Sequence, residues 1–221
     1  MFGVECLRQR LQQAQGTFAM NRLVVGFVIF AMFGWFQERP ALPVPRLDKG
    51  SIEGKTYRNA SIGLELTPDP KLKFGAPELK GKTGTVSSSL MVAAWGKFRS
   101  GSAREGTAFW AVPLAFYPAD QRSTDACMRR VVEANQKDGL KPVQSSPDNE
   151  LGGALFARTD FLREGPAYET VFVKTCDTLV LGFVFTGSDR EAVNKLIAAT
   201  DLKLDLPTAG CGPKSANAAQ R

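Results

Sequence analysis

The sequence, 221 residues long, contains no histidine. Serine and cysteine nucleophiles therefore lack their usual general base, and zinc sites that need imidazole ligands are excluded. Acid–base chemistry near neutral pH would depend instead on a carboxyl group or a lysine with a strongly shifted pKa. The composition favours a non-enzymatic protein, and a histidine-independent enzyme is the less favoured alternative.

The excess of positive over negative charge in the chain is modest. The 28 basic and 22 acidic residues leave a net charge of +6. No run of basic residues forms the dense positive footprint of a nucleic-acid-binding face or helix. We therefore expect no nucleic-acid partner.

A complete phosphate-binding loop is also missing. Residues 75–83 read GAPELKGKT, with five residues between the first glycine and the Gly-Lys-Thr. The motif needs four, and it must open a helix whose N-terminus faces the phosphate. This stretch leads into a strand-like segment instead. The sequence predicts no nucleotide and no other cofactor.

What the chain does have is one uncharged apolar run, residues 23–36, with the sequence LVVGFVIFAMFGWF. It follows Arg22 and ends at the polar, proline-containing residues 37–40, which is typical of an export signal. As a helix the run spans about 21 Å, less than the roughly 30 Å of a bilayer core, which favours a cleaved signal. Because no clean pair of small residues marks a cleavage site, two alternatives stay open. One is an uncleaved anchor, which would be the only membrane contact, and the other is a buried helix of a cytosolic fold.

The flanking composition divides the chain into four parts. Residues 1–37 are predicted to be an N-terminal extension with a signal peptide or anchor, and Met20 is the expected start of translation. Residues 38–54 read as a Pro/Gly linker. Residues 55–206 form the predicted domain, and residues 207–221 a disordered tail. We expect an exported protein, periplasmic or secreted, with an unknown protein partner in the cell envelope.

Three of the four cysteines, Cys127, Cys176 and Cys211, follow the apolar run. Disulfides persist outside the cytoplasm, and three pairings are open. We predict the pair Cys127–Cys176, because both residues lie within the predicted domain and Cys211 lies in the predicted tail. The alternative is that Cys127 is a small buried residue on the core face of its helix.

Hydrophobic spacing predicts a helix over residues 124–138, capped by Ser123 or Thr124, and a second helix after a capping box at residues 188–191. Alternation with a period of two predicts short strands, of which residues 179–185 are apolar on both faces and need cover on both. The order strands, helix, strands, helix, with short links between strands, predicts an α+β domain built on an antiparallel β-sheet.

The predicted domain opens with Tyr57-x-Asn59-x-x-x-Gly63-Leu64 and has Pro68 after the strand. It ends with the strands 168–174 and 179–185, the capped helix, and residues 202–206. Both ends resemble PsbP-like domains, which are similar to the extrinsic lumenal subunit of photosystem II and include many exported bacterial proteins of unknown role. The resemblance implies an antiparallel sheet with α-helices on both faces, an α/β/α sandwich, and carries over no catalytic residues.

A lysine-rich stretch is the candidate surface for an anionic partner. It holds Lys71, Lys73, Lys80 and Lys82 within twelve residues, and such a patch attracts acidic partners or anionic headgroups. The simpler interpretation is a solvated loop whose charges discourage pairing with another sheet edge.

Two further sets are weaker candidates. The aromatic residues suggest a small-ligand-binding protein with an aromatic pocket as an alternative function, although core packing is the more common use. The carboxylates near a Gly-Pro turn suggest a hard-cation site, although solvated carboxylates beside a turn need no such role. The aromatic set is Trp95, Phe109, Trp110, Phe116 and Tyr117, and the carboxylates are Asp160, Glu164 and Glu169.

Overall fold

The computed structural model describes residues 42–81, 88–96, 105–163 and 167–205, together with residues 207 and 211. Within these ranges the chain forms twelve β-strands and two α-helices, and every strand pairing is antiparallel. The predicted α+β class is confirmed. The strands form two sheets rather than the one that the sequence predicts.

The larger sheet has eight strands in the order β4-β6-β7-β11-β10-β9-β8, and β5 also pairs with β6. Strand β11 lies at its centre and is buried along most of its length, which explains why its sequence is apolar on both faces. The strands are β4 (Lys73–Phe74), β5 (Glu78–Gly81), β6 (Ser88–Trp95), β7 (Gly106–Pro113), β8 (Leu140–Leu151), β9 (Ala154–Arg163), β10 (Ala167–Thr175) and β11 (Leu179–Gly187).

The smaller sheet has four strands in the order β1-β2-β3-β12. Its apolar residues, such as Tyr57, Leu66 and Leu202, share one core with Phe109 and Phe183 of the larger sheet. We call this the first core. The strands are β1 (Ser51–Glu53), β2 (Thr56–Asn59), β3 (Leu64–Thr67) and β12 (Asp201–Leu204).

Both helices have side-chain caps at their N-termini. In α1 (Thr124–Lys137) the Ser123 hydroxyl accepts a hydrogen bond from the Ala126 N–H at 3.1 Å. In α2 (Arg190–Ala199) Asp189 accepts from the Ala192 N–H at 2.8 Å. The predicted capping box placed the cap at Ser188, one residue early. A carboxylate is the stronger acceptor, and the aligned helix N–H groups favour its negative charge.

The two helices belong to different cores, which are separated by the larger sheet. Buried residues of α1, including Val131, pack with Val171 and Val173 of β10 in what we call the second core. Buried residues of α2, including Leu196, pack with Phe172 in the first core. An α/β/α sandwich, in which helices form the outer layer on each face, is not shown, because the four-stranded sheet closes the first core together with α2.

The segment predicted as a linker is part of the fold from residue 42 onward. Leu47 is buried in the first core. The carbonyl of Lys49 accepts a hydrogen bond from the Tyr57 hydroxyl at 3.0 Å, and the carbonyl of Asp48 accepts one from the Asn59 amide at 3.0 Å. These contacts are made by two backbone carbonyls and one leucine side chain, which leave no apolar periodicity in the sequence. The sequence pattern therefore could not predict that this segment packs against the domain.

Neither helix in the described part of the chain has the length and apolar composition needed to cross a bilayer. The predicted export segment, residues 23–36, lies outside the described residues.

Candidate functional site

The most concentrated group of polar side chains in the described residues surrounds Asp160 of β9, which is 1% exposed. Its carboxylate accepts hydrogen bonds from Arg158 Nε at 2.8 Å and Arg158 Nη2 at 3.2 Å. The Tyr168 hydroxyl donates to it at 3.0 Å and the Thr170 hydroxyl at 2.9 Å. Both carboxylate oxygens are thus occupied by donors from β9 and β10, and the buried charge is paired as burial requires.

Arg158 connects this carboxylate to the helix above it. Its guanidinium donates to Asn194 of α2 at 3.3 Å and lies 5.5 Å from the centroid of the Phe172 ring. Burial and the hydrogen bond to Asp160 raise the pKa of Tyr168 to about 12, so this hydroxyl keeps its proton and remains a donor. The arrangement holds α2 against the sheet, and the geometry leaves Asp160 no lone pair for a substrate or a cation.

A second buried acid, Glu169, lies on the opposite face of the sheet beneath α1. Burial raises its pKa to about 7, while Arg163 and the hydrogen bond from Asn135 oppose this shift and Asp138 adds to it. The Asn135 amide donates to Glu169 at 3.3 Å, and Asn135 Oδ1 has no hydrogen-bond partner within the described part of the chain. Glu169 therefore has the shifted pKa that histidine-independent acid–base chemistry needs. It is only 4% exposed, which leaves no access for a substrate in this conformation.

The predicted carboxylate cluster is not brought together. Glu169 of β10 pairs with Phe161 of β9, which belongs to the second core, so the Glu169 side chain lies on that side of the sheet. Asp160 is the neighbour of Phe161 on β9, so its side chain lies on the opposite side, toward the first core. Glu164 lies outside the described residues. Within those residues, no group of three His, Cys, Asp or Glu side chains could hold a metal ion.

The lysine-rich stretch forms strands β4 and β5 along β6 rather than a loop. Lys71 pairs with Glu105 at 2.8 Å and with Asp69 at 3.8 Å, so part of its charge is neutralised. Lys73 is exposed and lies opposite Trp95 in the β4–β6 register. The Lys80 backbone pairs with Ser89, and Lys82 lies outside the described residues. Binding of an anionic partner stays a prediction.

The predicted aromatic pocket is divided by the sheet. Phe109 belongs to the first core, whereas Trp110 and Tyr117 belong to the second, against which Trp95 and Phe116 are partly buried. The Trp110 ring lies against Gly182, where a Cβ atom would come within 2.1 Å of the indole. These rings fill the two cores and do not line one cavity.

The predicted disulfide Cys127–Cys176 is wrong. Cys176 pairs with Cys211, with a Cα–Cα distance of 4.5 Å, and Cys127 is a free buried thiol. Cys127 lies in the second core and Cys176 in the first, so the sheet separates the two side chains. Burial raises the pKa of the Cys127 thiol to about 12, which makes this thiol an unreactive core residue, as the alternative interpretation held.

Sequence reasoning also missed the β8–β9 hairpin as a surface. It predicted only short strands, whereas β8 has twelve residues and forms the edge of the larger sheet. The hairpin carries three of the four large exposed hydrophobic side chains in the described residues, namely Val143 (53% exposed), Leu155 (55%) and Leu162 (46%). The polar composition of β8 and its prolines could have indicated an edge strand, because prolines are tolerated in edge strands.

Comparisons with known proteins give similarities to two solved structures. No protein-family profile and no curated protein matches the sequence. The structure is similar to the solution structure of cyanobacterial PsbP (CyanoP) from Synechocystis sp. PCC 6803, with a TM-score of 0.43 and 10% identity over 68% of this chain and 96% of that chain. It is also similar to a crystal structure from Bacteroides thetaiotaomicron VPI-5482, with a TM-score of 0.34 and 13% identity over 69% of this chain and 49% of that one. The first of these structures is a PsbP, the kind of protein that the sequence resembles, and neither similarity supports a conclusion about function.

Proposed function

We propose that this protein is an exported, non-enzymatic accessory protein of the cell envelope that binds a protein partner. The observation that carries the proposal is the Cys176–Cys211 disulfide. Structural disulfides are kept in secreted and periplasmic proteins and are rare in the reducing cytosol. The disulfide is consistent with the export signal predicted at residues 23–36, which is an independent feature of the sequence.

The position of the disulfide suggests a structural role rather than a catalytic one. Cys176 is buried in the first core, and Cys211 packs against the same core. The bond therefore fastens the C-terminal segment beside the β10–β11 hairpin. A catalytic disulfide would instead be exposed, and one of its two cysteines would have a low pKa in the reduced form.

The β8–β9 hairpin is the surface that we assign to the protein partner. Val143 and Leu162 lie near each other, because Leu162 pairs with Lys141 and Phe161 with Pro142, directly before the bulge at Val143. Pro142 has no N–H to donate, and the bulges interrupt the edge, so an added strand is disfavoured. A partner would contact the exposed side chains rather than extend the sheet.

Location is tested by trapping the thiols in acid-quenched cells and labelling them with a maleimide polymer before and after reduction. We expect Cys176 and Cys211 to be labelled only after reduction, and Cys127 to be labelled after denaturation alone. Cell fractionation should place the protein with an exported control. Free Cys176 and Cys211 in freshly quenched cells, or a cytosolic fraction, would contradict the proposal.

Partner binding is tested by placing a photo-crosslinking amino acid at Val143 in cells. The matched control is Ile52 of β1, which is 36% exposed on the other sheet. We expect a discrete adduct from position 143 and none from position 52. Equal adducts from both positions, or none from either, would remove the hairpin as the binding surface.

A further inference from the structure

Two arginines at the N-terminal end of α1 have no acidic partner. Arg122 lies directly before the cap residue Ser123, and Arg130 lies in the second turn of the helix. Both side chains are half-buried. Among the residues that the structure describes, neither forms an ion pair, although Asp120 and Asp125 are close in sequence. Charges that are partly removed from water are normally paired, so these two call for an anion from outside.

Tyr117, which is 2% exposed, supports both arginine side chains. Arg122 Nε donates a hydrogen bond to the Tyr117 carbonyl at 2.9 Å. The guanidinium carbon of Arg130 lies 5.2 Å from the centroid of the Tyr117 ring, in a cation–π contact. Because one arginine contacts the backbone of this residue and the other contacts its ring, both guanidinium groups are held beside one buried side chain.

The segment before α1 is itself fixed. Pro118 precedes a single 3₁₀ turn, Ala119–Gln121, in which the Gln121 N–H donates to the Pro118 carbonyl at 2.9 Å. The Cys127 thiol donates to the Gln121 carbonyl at 3.5 Å, and Arg130 Nη1 donates to Gln121 Oε1 at 2.9 Å. These contacts position the arginines before a ligand arrives, which lowers the entropic cost of binding one.

Each guanidinium group keeps one pair of parallel donors open. Arg122 uses only Nε, so its Nη1 and Nη2 groups have no partner within the described residues. Arg130 uses only Nη1, so its Nε and Nη2 groups have none there either. Either pair of N–H groups matches two oxygens of a carboxylate or a phosphate, and hydrogen bonds between such charged groups are stronger than neutral ones.

We propose that Arg122 and Arg130 together bind one oxyanion, the phosphate or carboxylate group of a small molecule. The site is separate from the lysine-rich stretch in which the sequence analysis placed an anionic partner. It depends neither on export of the protein nor on the β8–β9 hairpin. The sequence pattern gave no signal for it, because the two arginines are separated in sequence and acidic residues lie next to and between them.

Nuclear magnetic resonance of the full-length protein with isotope-labelled arginine tests the proposal directly. The Nε–H signals are followed while inorganic phosphate or, in a separate titration, succinate is added at constant ionic strength. We expect the signals of Arg122 and Arg130 to shift with one common dissociation constant on the order of 1 mM. Arg129, which is exposed on α1, is the internal control, and its signal should not move.

Lysine variants separate bidentate recognition from simple charge attraction. Arg122→Lys and Arg130→Lys keep the positive charge but remove the paired N–H groups, so each should weaken binding about tenfold. Arg129→Lys is the matched control and should leave the affinity unchanged. Thermal melting shows whether each variant is folded. If Arg130→Lys unfolds because it loses its contact with the Tyr117 ring, Arg122→Lys decides.

The two probes also identify the group that binds. Binding of phosphate without succinate would support a phosphate ligand, and the reverse would support a carboxylate. No shift with either probe would overturn the inference. Equal shifts on adding sodium chloride alone would also overturn it, because they would reflect charge screening. So would weaker binding in only one of two folded lysine variants, because the arginines would then not share one anion.

Discussion

The hydroxyl groups of Thr124 and Thr175 lie 2.8 Å apart, and the Thr124 hydroxyl also accepts a hydrogen bond from the Thr175 N–H at 3.1 Å. These contacts join the first turn of α1 to the end of β10. Cys127 and Cys176 each lie close in sequence to one of these threonines, yet their side chains belong to different cores on opposite faces of the larger sheet. Contact between the two segments therefore does not bring the two thiols together.

The first prediction concerns the two kinds of cysteine. Non-reducing peptide mapping should recover Cys176 linked to Cys211 and Cys127 as a free thiol. Cys211→Ser opens a loop of 35 residues and should lower the free energy of unfolding by about 4 kcal/mol on the chain-entropy model. Cys127→Ala removes only a buried thiol, so it should lower the free energy of unfolding by less than Cys211→Ser does. This smaller loss should be the same under reducing conditions. A Cys211→Ser protein as stable as the oxidised wild type would count against the disulfide.

The second prediction concerns the N-terminal boundary of the domain. A fragment of residues 55–211 lacks buried Leu47 and the carbonyls that accept from Tyr57 and Asn59, so those donors lose their partners. Compared with residues 42–211, it should lose on the order of 4 kcal/mol in chemical denaturation.

Leu47→Ala in the longer fragment isolates the apolar part of this effect and should cost at least about 2 kcal/mol. Equal denaturation midpoints for the two fragments would show that residues 42–54 are a linker after all.

The third prediction concerns pH. The pKa of Glu169 is raised from 4.5 to about 7 in the folded protein, so the native state binds the extra proton between these values. Stability should therefore fall as pH rises through this window, by on the order of 3 kcal/mol. Glu169→Gln should flatten this decline in thermal melts, whereas Glu133→Gln, an exposed position on α1, should not. The idea fails if both variants keep the wild-type slope.

The fourth prediction concerns the contact between β11 and the Trp110 ring. Gly182→Ala would place a methyl group within 2.1 Å of the indole in a buried site, and such overpacking costs about 1–3 kcal/mol. Gly75→Ala is the matched control, because its nearest neighbour would be the Ala93 carbonyl at 3.7 Å. In a double-mutant cycle, Trp110→Leu should reduce the penalty of Gly182→Ala. Additive effects of the two substitutions would show that the ring does not require a glycine there.

Elements with strong local signals were predicted well from the sequence. Helix α1 has a serine cap and an apolar face, and it was found within one residue of its predicted end. Strand β11 is apolar on both faces, and it lies at the centre of the larger sheet. In both cases the information is contained in neighbouring residues, which is why periodicity and capping were sufficient.

Features that depend on partners distant in sequence were missed. The division into two sheets follows from β12 pairing with β3, which no local pattern encodes. Asp160 looked like a solvated turn residue, because its donors Tyr168 and Thr170 come from the next strand. The Cys176–Cys211 bond depends on a C-terminal segment whose small polar residues resemble a tail.

The pairing of β3 with β12 sets the order in which this protein can be completed. Leu66 and Leu202 are partners across the smaller sheet, so β1–β3 are made long before the strand that finishes their sheet. A chain that emerges N-terminus first, from a ribosome or from a translocation channel, cannot close the first core until almost its whole length is available. Contacts of such large sequence separation slow folding. The architecture therefore delays its own completion until the last strand of the smaller sheet has been synthesised.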